Sequence, residues 1–299
     1  MVRPLSSREP SKEQLIALRE ERAFVDLSRW RKVRVSGSDA RSWLNDLLTA
    51  EIGSLAPGHA GRALLLTPTG RIRADVQVSA RDDDLLLLQA ADQPDHIGLL
   101  LNPFTLSSAV LLEDATTELS LFAVPGAAAS LVGHPGSIPS VLGPGIDVVV
   151  GAGKPSWRVI DAFTQAGLVE AGTDAVEAWR IERGVPRMGP DFDQGSLPSE
   201  ADLDDTIDSE KGCFLGQESV ARIRARGHPP RVLRHVRSEG RIEAGAPILS
   251  GSDVVGSITS ATFDDSGGAT ALARVRWEAA EGPLSLPDGR ALLRVRSSV

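Results

Sequence analysis

The amino-acid sequence predicts an α+β fold with a small β unit at its C-terminal end. Three observations carry this. Capped helical segments and short strand-like runs follow one another through most of the chain without a strict alternating rhythm. Beyond Pro229 and Pro230 only β-like runs recur between turn residues, which suits a barrel or sandwich of about 70 residues. A chain of 299 residues also exceeds what one core organises, so residues 1–226 read as one region and residues 227–299 as the C-terminal barrel.

In order along the chain, Ser11 is placed to cap a helix through Leu15, Leu18 and Arg22, and Phe24 to Val35 alternates like a strand. Ser38 and Asp39 offer a second cap, for a helix whose Trp43, Leu44, Leu47 and Leu48 share one face. Ala63 to Thr67 and Ile72 to Val78 form a hairpin around the turn signal Pro68-Thr69-Gly70. Leu85 to Gln89 reads as a buried strand, Pro94 to Leu106 as a helix, and Val110 to Leu112 and Leu119 to Val124 as strands. Gly133 to Pro155 reads as loop around a short strand, Asp147 to Val150. Thr173 caps a helix from Asp174 to Arg183 that Gly184 and Pro186 end, and Gln217 to Arg226 makes a short helix closed by Gly227. Strands follow at Val232 to Val236, Pro247 to Leu249, Val254 to Thr259, Ala271 to Trp277 and Ala291 to Val295.

Composition excludes several classes. Hydrophobic residues at 41% and charged ones at 24% are ordinary for a globular chain, so disorder is not expected. Aromatic residues at 4%, with no Tyr, poorly equip a protein that holds bases by stacking. No apolar run approaches the roughly 20 residues of a membrane span, and Met1 to Leu5 lacks the apolar core of an export signal, so a cytoplasmic protein is expected. The single cysteine, Cys213, cannot form an internal disulfide, and five scattered histidines do not form a metal-ligand set. Gly151-Ala152-Gly153-Lys154 fails as a phosphate loop, because Val148 stands where the first glycine belongs and Pro155 follows the lysine.

The net charge of −8 conceals two opposed segments. Asp191 to Glu210 holds eight acids and no base, whereas Lys211 to Arg237 holds seven bases and one acid, Glu218. Either the acidic loop is a solvated cover for a basic surface, or the basic rim receives an anionic ligand.

Lys211-Gly212-Cys213-Phe214-Leu215-Gly216-Gln217-Glu218 is the most informative run. Cys213 is either a small buried apolar residue or a thiol activated by the start of the following helix and by Lys211. A dyad with His228 lacks a visible orienting group. This octet resembles the signature of the YgfZ family of folate-binding proteins, relatives of the glycine cleavage aminomethyltransferase, or T-protein. Ser219-Val220-Ala221-Arg222 with Arg226-Gly227-His228, Trp179 to Pro186, Leu197-Pro198 with Glu200, Phe24 to Ser28 and Gly70 to Asp75 are similar to that family as well.

The resemblance implies a T-protein-like ring: two interleaved, discontinuous α+β subdomains within the folate-binding region 1–226, the C-terminal barrel, and a central channel for tetrahydrofolate or a one-carbon derivative. It implies that Glu182 binds the pterin edge, since a carboxylate accepts paired hydrogen bonds from an aminopyrimidine. Asp75, Arg180, Lys211, Gln217 and Arg222 complete the implied cofactor-binding set, and Cys213 takes the catalytic place. The T-protein pattern has a functional aspartate where this chain has Ala74, which argues against glycine cleavage; Asp75 either contacts the pterin or is an ordinary strand residue. The implied function is support of iron–sulfur enzymes, with client enzymes or cluster carriers as partners, because one thiolate cannot hold a cluster alone. A folate-dependent aminomethyl or methyl transferase is the alternative, and a tRNA-binding or tRNA-processing accessory role is another. The basic segment would meet either a folate polyglutamate tail or tRNA.

Overall fold

The computed structural model describes residues 10–126, 137–225, 227–263 and 267–295. Met1 to Leu5, residues 133–136 of the Gly- and Pro-rich segment, and Arg226 lie outside the described residues. The chain is α+β and divides into two compact units. The first comprises Met1–Leu66, Arg73–Val176 and Thr206–Leu215; the second comprises Thr67–Ile72, Glu177–Asp205 and Gly216–Val299.

The first unit contains two five-stranded sheets. In chain order its elements are α1 (Lys12–Arg19), β1 (Ala23–Asp26), β2 (Arg31–Ser36), α2 (Ala40–Leu47), β3 (Ala60–Leu66), β4 (Ile72–Ala80), β5 (Leu85–Gln89) and α3 (Ile97–Leu101). There follow β6 (Leu111–Asp114), β7 (Leu119–Pro125), β8 (Ser137–Pro139), β9 (Gly145–Gly151), α4 (Lys154–Gln165), β10 (Val169–Glu170) and the start of α5 (Thr173–Glu182), whose residues from Glu177 onward belong to the second unit. One sheet has the order β10-β1-β7-β9-β8 and the other β3-β4-β5-β2-β6. The inner face of the second sheet, with Val33, Val35, Val76, Val78, Leu85 and Leu87, packs under Trp43, Leu44 and Leu47 of α2. Phe24, Phe122 and Phe163 form the aromatic centre of a separate core beneath α4, with ring centroids 5.2 Å and 6.3 Å from Phe163.

In the second unit, α6 (Gln217–Ala225) precedes β11 (Arg231–Glu239), β12 (Pro247–Ser250), β13 (Asp253–Phe263), β14 (Gly268–Arg276), β15 (Leu284–Ser285) and β16 (Ala291–Arg294). These six strands close into a barrel of order β11-β14-β13-β12-β15-β16. Closure leaves no unpaired sheet edge, and Val236, Ile248, Ile258, Ala271 and Val275 fill the interior.

Several expectations change. Phe24 to Val35 is two strands, because the Asp26 carboxylate accepts from Ser28 N (2.8 Å) and Trp30 N bonds Leu27 O (2.8 Å) in a turn. Pro94 to Leu106 shrinks to α3 and a 3₁₀ turn, Asn102–Phe104, since Pro103 disfavours helical backbone before it and removes a donor. The segment expected to end in loop at Pro155 instead opens α4, with Gly153 at its N-cap and Pro155 in the first turn, where a missing N–H costs nothing. Ser11 and Asp39 stand at the expected N-caps, yet neither side chain bonds its helix. Asp39 accepts instead from Ala109 N at 2.8 Å. Among the described residues no helix is long and apolar enough to cross a membrane, and no group of three or more His, Cys, Asp or Glu is placed to hold a metal.

Candidate functional site

The expected site residues divide between the units. In the first, the signature segment is stitched onto the C-terminal end of α2. That helix ends with carbonyls that have no helical partner. Lys211 Nζ donates to Asn45 O (2.6 Å), Leu48 O (2.9 Å) and Ala50 O (2.6 Å), and Leu215 N bonds Asp46 O (3.0 Å). All three ammonium protons are thereby used, and a cation sits at the negative end of a helix dipole. Burial lowers the Lys211 pKa, against which the carboxylates of Glu51, Asp208 and Asp46 act. The ring of Phe214 is buried, with Lys211 Nζ 5.6 Å from its centroid. Anchored on both sides, Cys213 itself is exposed, which removes the reading of it as a small core residue.

Asp75 and Ala74 lie on opposite faces of β4. The Asp75 carboxylate is gripped in a fork by Arg62 of β3, at 2.9 Å from Nε and 2.6 Å from Nη2. Its backbone is clamped by Gln93, which accepts from Asp75 N (3.1 Å) and donates to Asp75 O (2.7 Å). Ala74, where the T-protein pattern has its first aspartate, is fully buried in the apolar cluster beside Val76 and Val78.

In the second unit, the end of α5 carries Arg180 and Glu182. The Arg180 guanidinium has five N–H donors, and five protein acceptors take them. Nε and Nη2 reach Glu177 at 2.8 and 2.5 Å, Nη1 reaches Val185 O at 2.9 Å and Asp191 at 2.6 Å, and Nη2 reaches Ser260 Oγ at 2.9 Å. Asp191 in turn accepts from Thr259 Oγ1 (2.7 Å) and Ser260 Oγ (2.6 Å) of β13. Burial depresses the Arg180 pKa, but the bond to Glu177 and the charges of Asp191 and Glu177 outweigh it and hold the pKa above its ordinary value. The geometry thus gives Arg180 the role of a brace between the helix end and the barrel. Asp191 and Ser260 were not legible as its partners, since neither belongs to a motif and they are 69 residues apart. Glu182, the last residue of α5, is half-buried.

Gln217 is half-buried at the first position of α6, and Arg222 is exposed further along it. Among the described residues Arg222 and Arg231 have no acceptor. Arg224 instead reaches Asp204 of the acidic segment (3.4 Å) and Arg234 reaches Glu281 (2.9 Å). The two readings of the charge pattern therefore each hold for part of it: some bases meet acids, and others face solvent.

A family model, the GCVT N-terminal domain, matches residues 6–133. An aminomethyltransferase of Streptomyces coelicolor is 27% identical, with 83% of this chain and 76% of the relative covered. One from Alcanivorax borkumensis is 25% identical over 88% of this chain and 80% of the relative. Among solved structures, the glycine cleavage system aminomethyltransferase T of Bartonella henselae covers 95% of this chain and 88% of its own at 20% identity, with a TM-score of 0.82. By these likenesses the chain has the α+β fold of the glycine cleavage aminomethyltransferase.

Proposed function

We propose that this protein binds tetrahydrofolate and serves the assembly or maintenance of iron–sulfur enzymes, with Cys213 as the residue that acts on the client. The single observation that carries the reading is the exposed Cys213 on a rigidly anchored segment, in a fold shared with an aminomethyltransferase. A thiol held at the surface by buried contacts on either side is available to a partner and does not serve the core. Ala74 favours this role over an amine-directed transferase, because a fully buried methyl group supplies no carboxylate to a reacting nitrogen. Glu182 is half-buried, and a carboxylate has the acceptor chemistry that an aminopyrimidine edge requires, which supports a reduced pterin as the ligand. Bound, such a pterin supplies nitrogen nucleophiles that accept one-carbon groups. Glu182 would orient it and Cys213 would meet the partner, whose own thiolates complete any cluster.

The test combines binding and cellular activity. Cys213→Ala is expected to fold and bind tetrahydrofolate like the parent while failing to restore iron–sulfur enzyme activity in cells that lack the protein. Restoration by that variant would overturn the role of the thiol. Formation of methylene-tetrahydrofolate from an aminomethyl or methylated amine by the purified protein would establish the transferase instead.

A further inference from the structure

The second unit contains a cleft of about 470 Å³ lined by Thr69, Arg71, Leu197, Ile223, His228 and Pro230. Its volume falls in the range of small-molecule sites, roughly 300–1,000 Å³. One rim is the turn from Thr67 to Arg71, closed by Thr67 N to Arg71 O (2.8 Å) and Arg71 N to Thr67 Oγ1 (3.1 Å). The turn is seated on α6, whose Ser219 Oγ donates to Pro68 O (2.9 Å). Gly70 permits the close approach: its φ is +74°, and a Cβ there would lie 3.0 Å from Ser219 Cβ and 3.3 Å from Val220 N.

This seating fixes the backbone from which Arg71 projects. Its Nη1 donates to Gly195 O at 2.6 Å, and among the described residues its four other N–H donors have no acceptor. A guanidinium anchored by one bond, with its fork still available, suits a carboxylate or phosphate. His228, which also lines the cleft, is stacked on Trp277 with centroids 5.0 Å apart and planes within 2°. Its Nδ1 lies 3.2 Å from Pro229 O, so the imidazole is held as a flat wall. Leu197, Ile223 and Pro230 supply the apolar remainder.

We propose that this cleft binds a small organic anion bearing a flat ring, its phosphate or carboxylate on Arg71 and its ring against His228 and the apolar wall. The proposed site does not include Glu182, on which the pterin reading rests.

Calorimetric titration of the full chain tests it, with adenosine 5′-monophosphate and 4-aminobenzoate as ring-bearing anions and adenosine and inorganic phosphate as halves of the first. At least one ring-bearing anion is expected to bind with Kd below about 1 mM, and at least tenfold more tightly than either half. Arg71→Gln is expected to weaken that binding tenfold or more, Arg71→Lys to weaken it less, and His228→Ala to weaken it several-fold. Which anion binds distinguishes a nucleotide from an aromatic carboxylate. Absence of binding by both anions, or affinity unchanged in Arg71→Gln and His228→Ala, would overturn the proposal. The response of the melting temperature to tetrahydrofolate is expected to survive Arg71→Gln, and its loss would overturn the separateness of the site.

Discussion

The residue that most constrains the signature segment is Lys211. It supplies a buried cation to three main-chain carbonyls around the end of α2. Lys211→Met keeps the length and apolar stem but takes the ammonium donor from those acceptors, so stability is expected to fall by about 2–4 kcal/mol, read as a lower denaturant midpoint. Cys213 is expected to become more reactive toward a thiol reagent as its anchor loosens. Asp147 presents the opposite case. It is fully buried in β9, accepts from Val141 N at 2.9 Å, and among the described residues its other oxygen, Oδ1, has no hydrogen-bond partner. Burial pushes its pKa up to about 7, against hydrogen bonds from Ser140 and Val141 that act to lower it. With the folded pKa raised, the native state holds a proton that the unfolded chain has lost between pH of about 4 and 7. Stability therefore declines as pH rises through that window. Asp147→Asn is expected to melt like the parent near pH 4 and above it at pH 8.

Elements were legible where local pattern and tertiary demand agree. The run Leu85 to Gln89 is buried throughout, and β5 occupies those residues. The barrel strands follow the turn signals that bound them, and only the two-residue β15 carries no signal of its own. Helix α4 was illegible because its Gly- and Pro-rich approach masked a start signal, although Trp157, Val159, Ile160 and Phe163 recur at helical spacing beyond it. The roles of the site residues were less legible still. Lys211 was singled out for its neighbour Cys213, whereas its acceptors lie 161 to 166 residues away, beyond any pattern along the chain. The turn between β3 and β4 shows the converse, a local signal with a long-range reason: Gly70 is required both by its positive φ and by Ser219 of α6. Gly70→Ala is expected to destabilise the protein by about 1–3 kcal/mol through that strain, measured by chemical denaturation. The Arg71-dependent binding of ring-bearing anions should weaken with it.

At the scale of the whole molecule, a formal charge of −8 does not describe how anions meet the surface, because exposed Arg222 and Arg231 stand apart from the acids that carry the excess. What a ligand does to the entire chain is a matter of linkage. A molecule that binds only the folded state at a hundred times its Kd adds about 2.7 kcal/mol of stability. For 299 residues the unfolding entropy scales with length, so this corresponds to a rise of about 4 °C in melting temperature. Saturating tetrahydrofolate is expected to produce a shift of that order in the parent and in Cys213→Ala, because the exposed thiol has no part in the pterin contact. Glu182→Gln should abolish most of it by exchanging a charge-assisted acceptor for a neutral amide that presents donors where the aminopyrimidine needs acceptors. A parent protein that melts at one temperature with and without tetrahydrofolate would end the folate reading while leaving the cleft at Arg71 and His228 to stand on its own titrations.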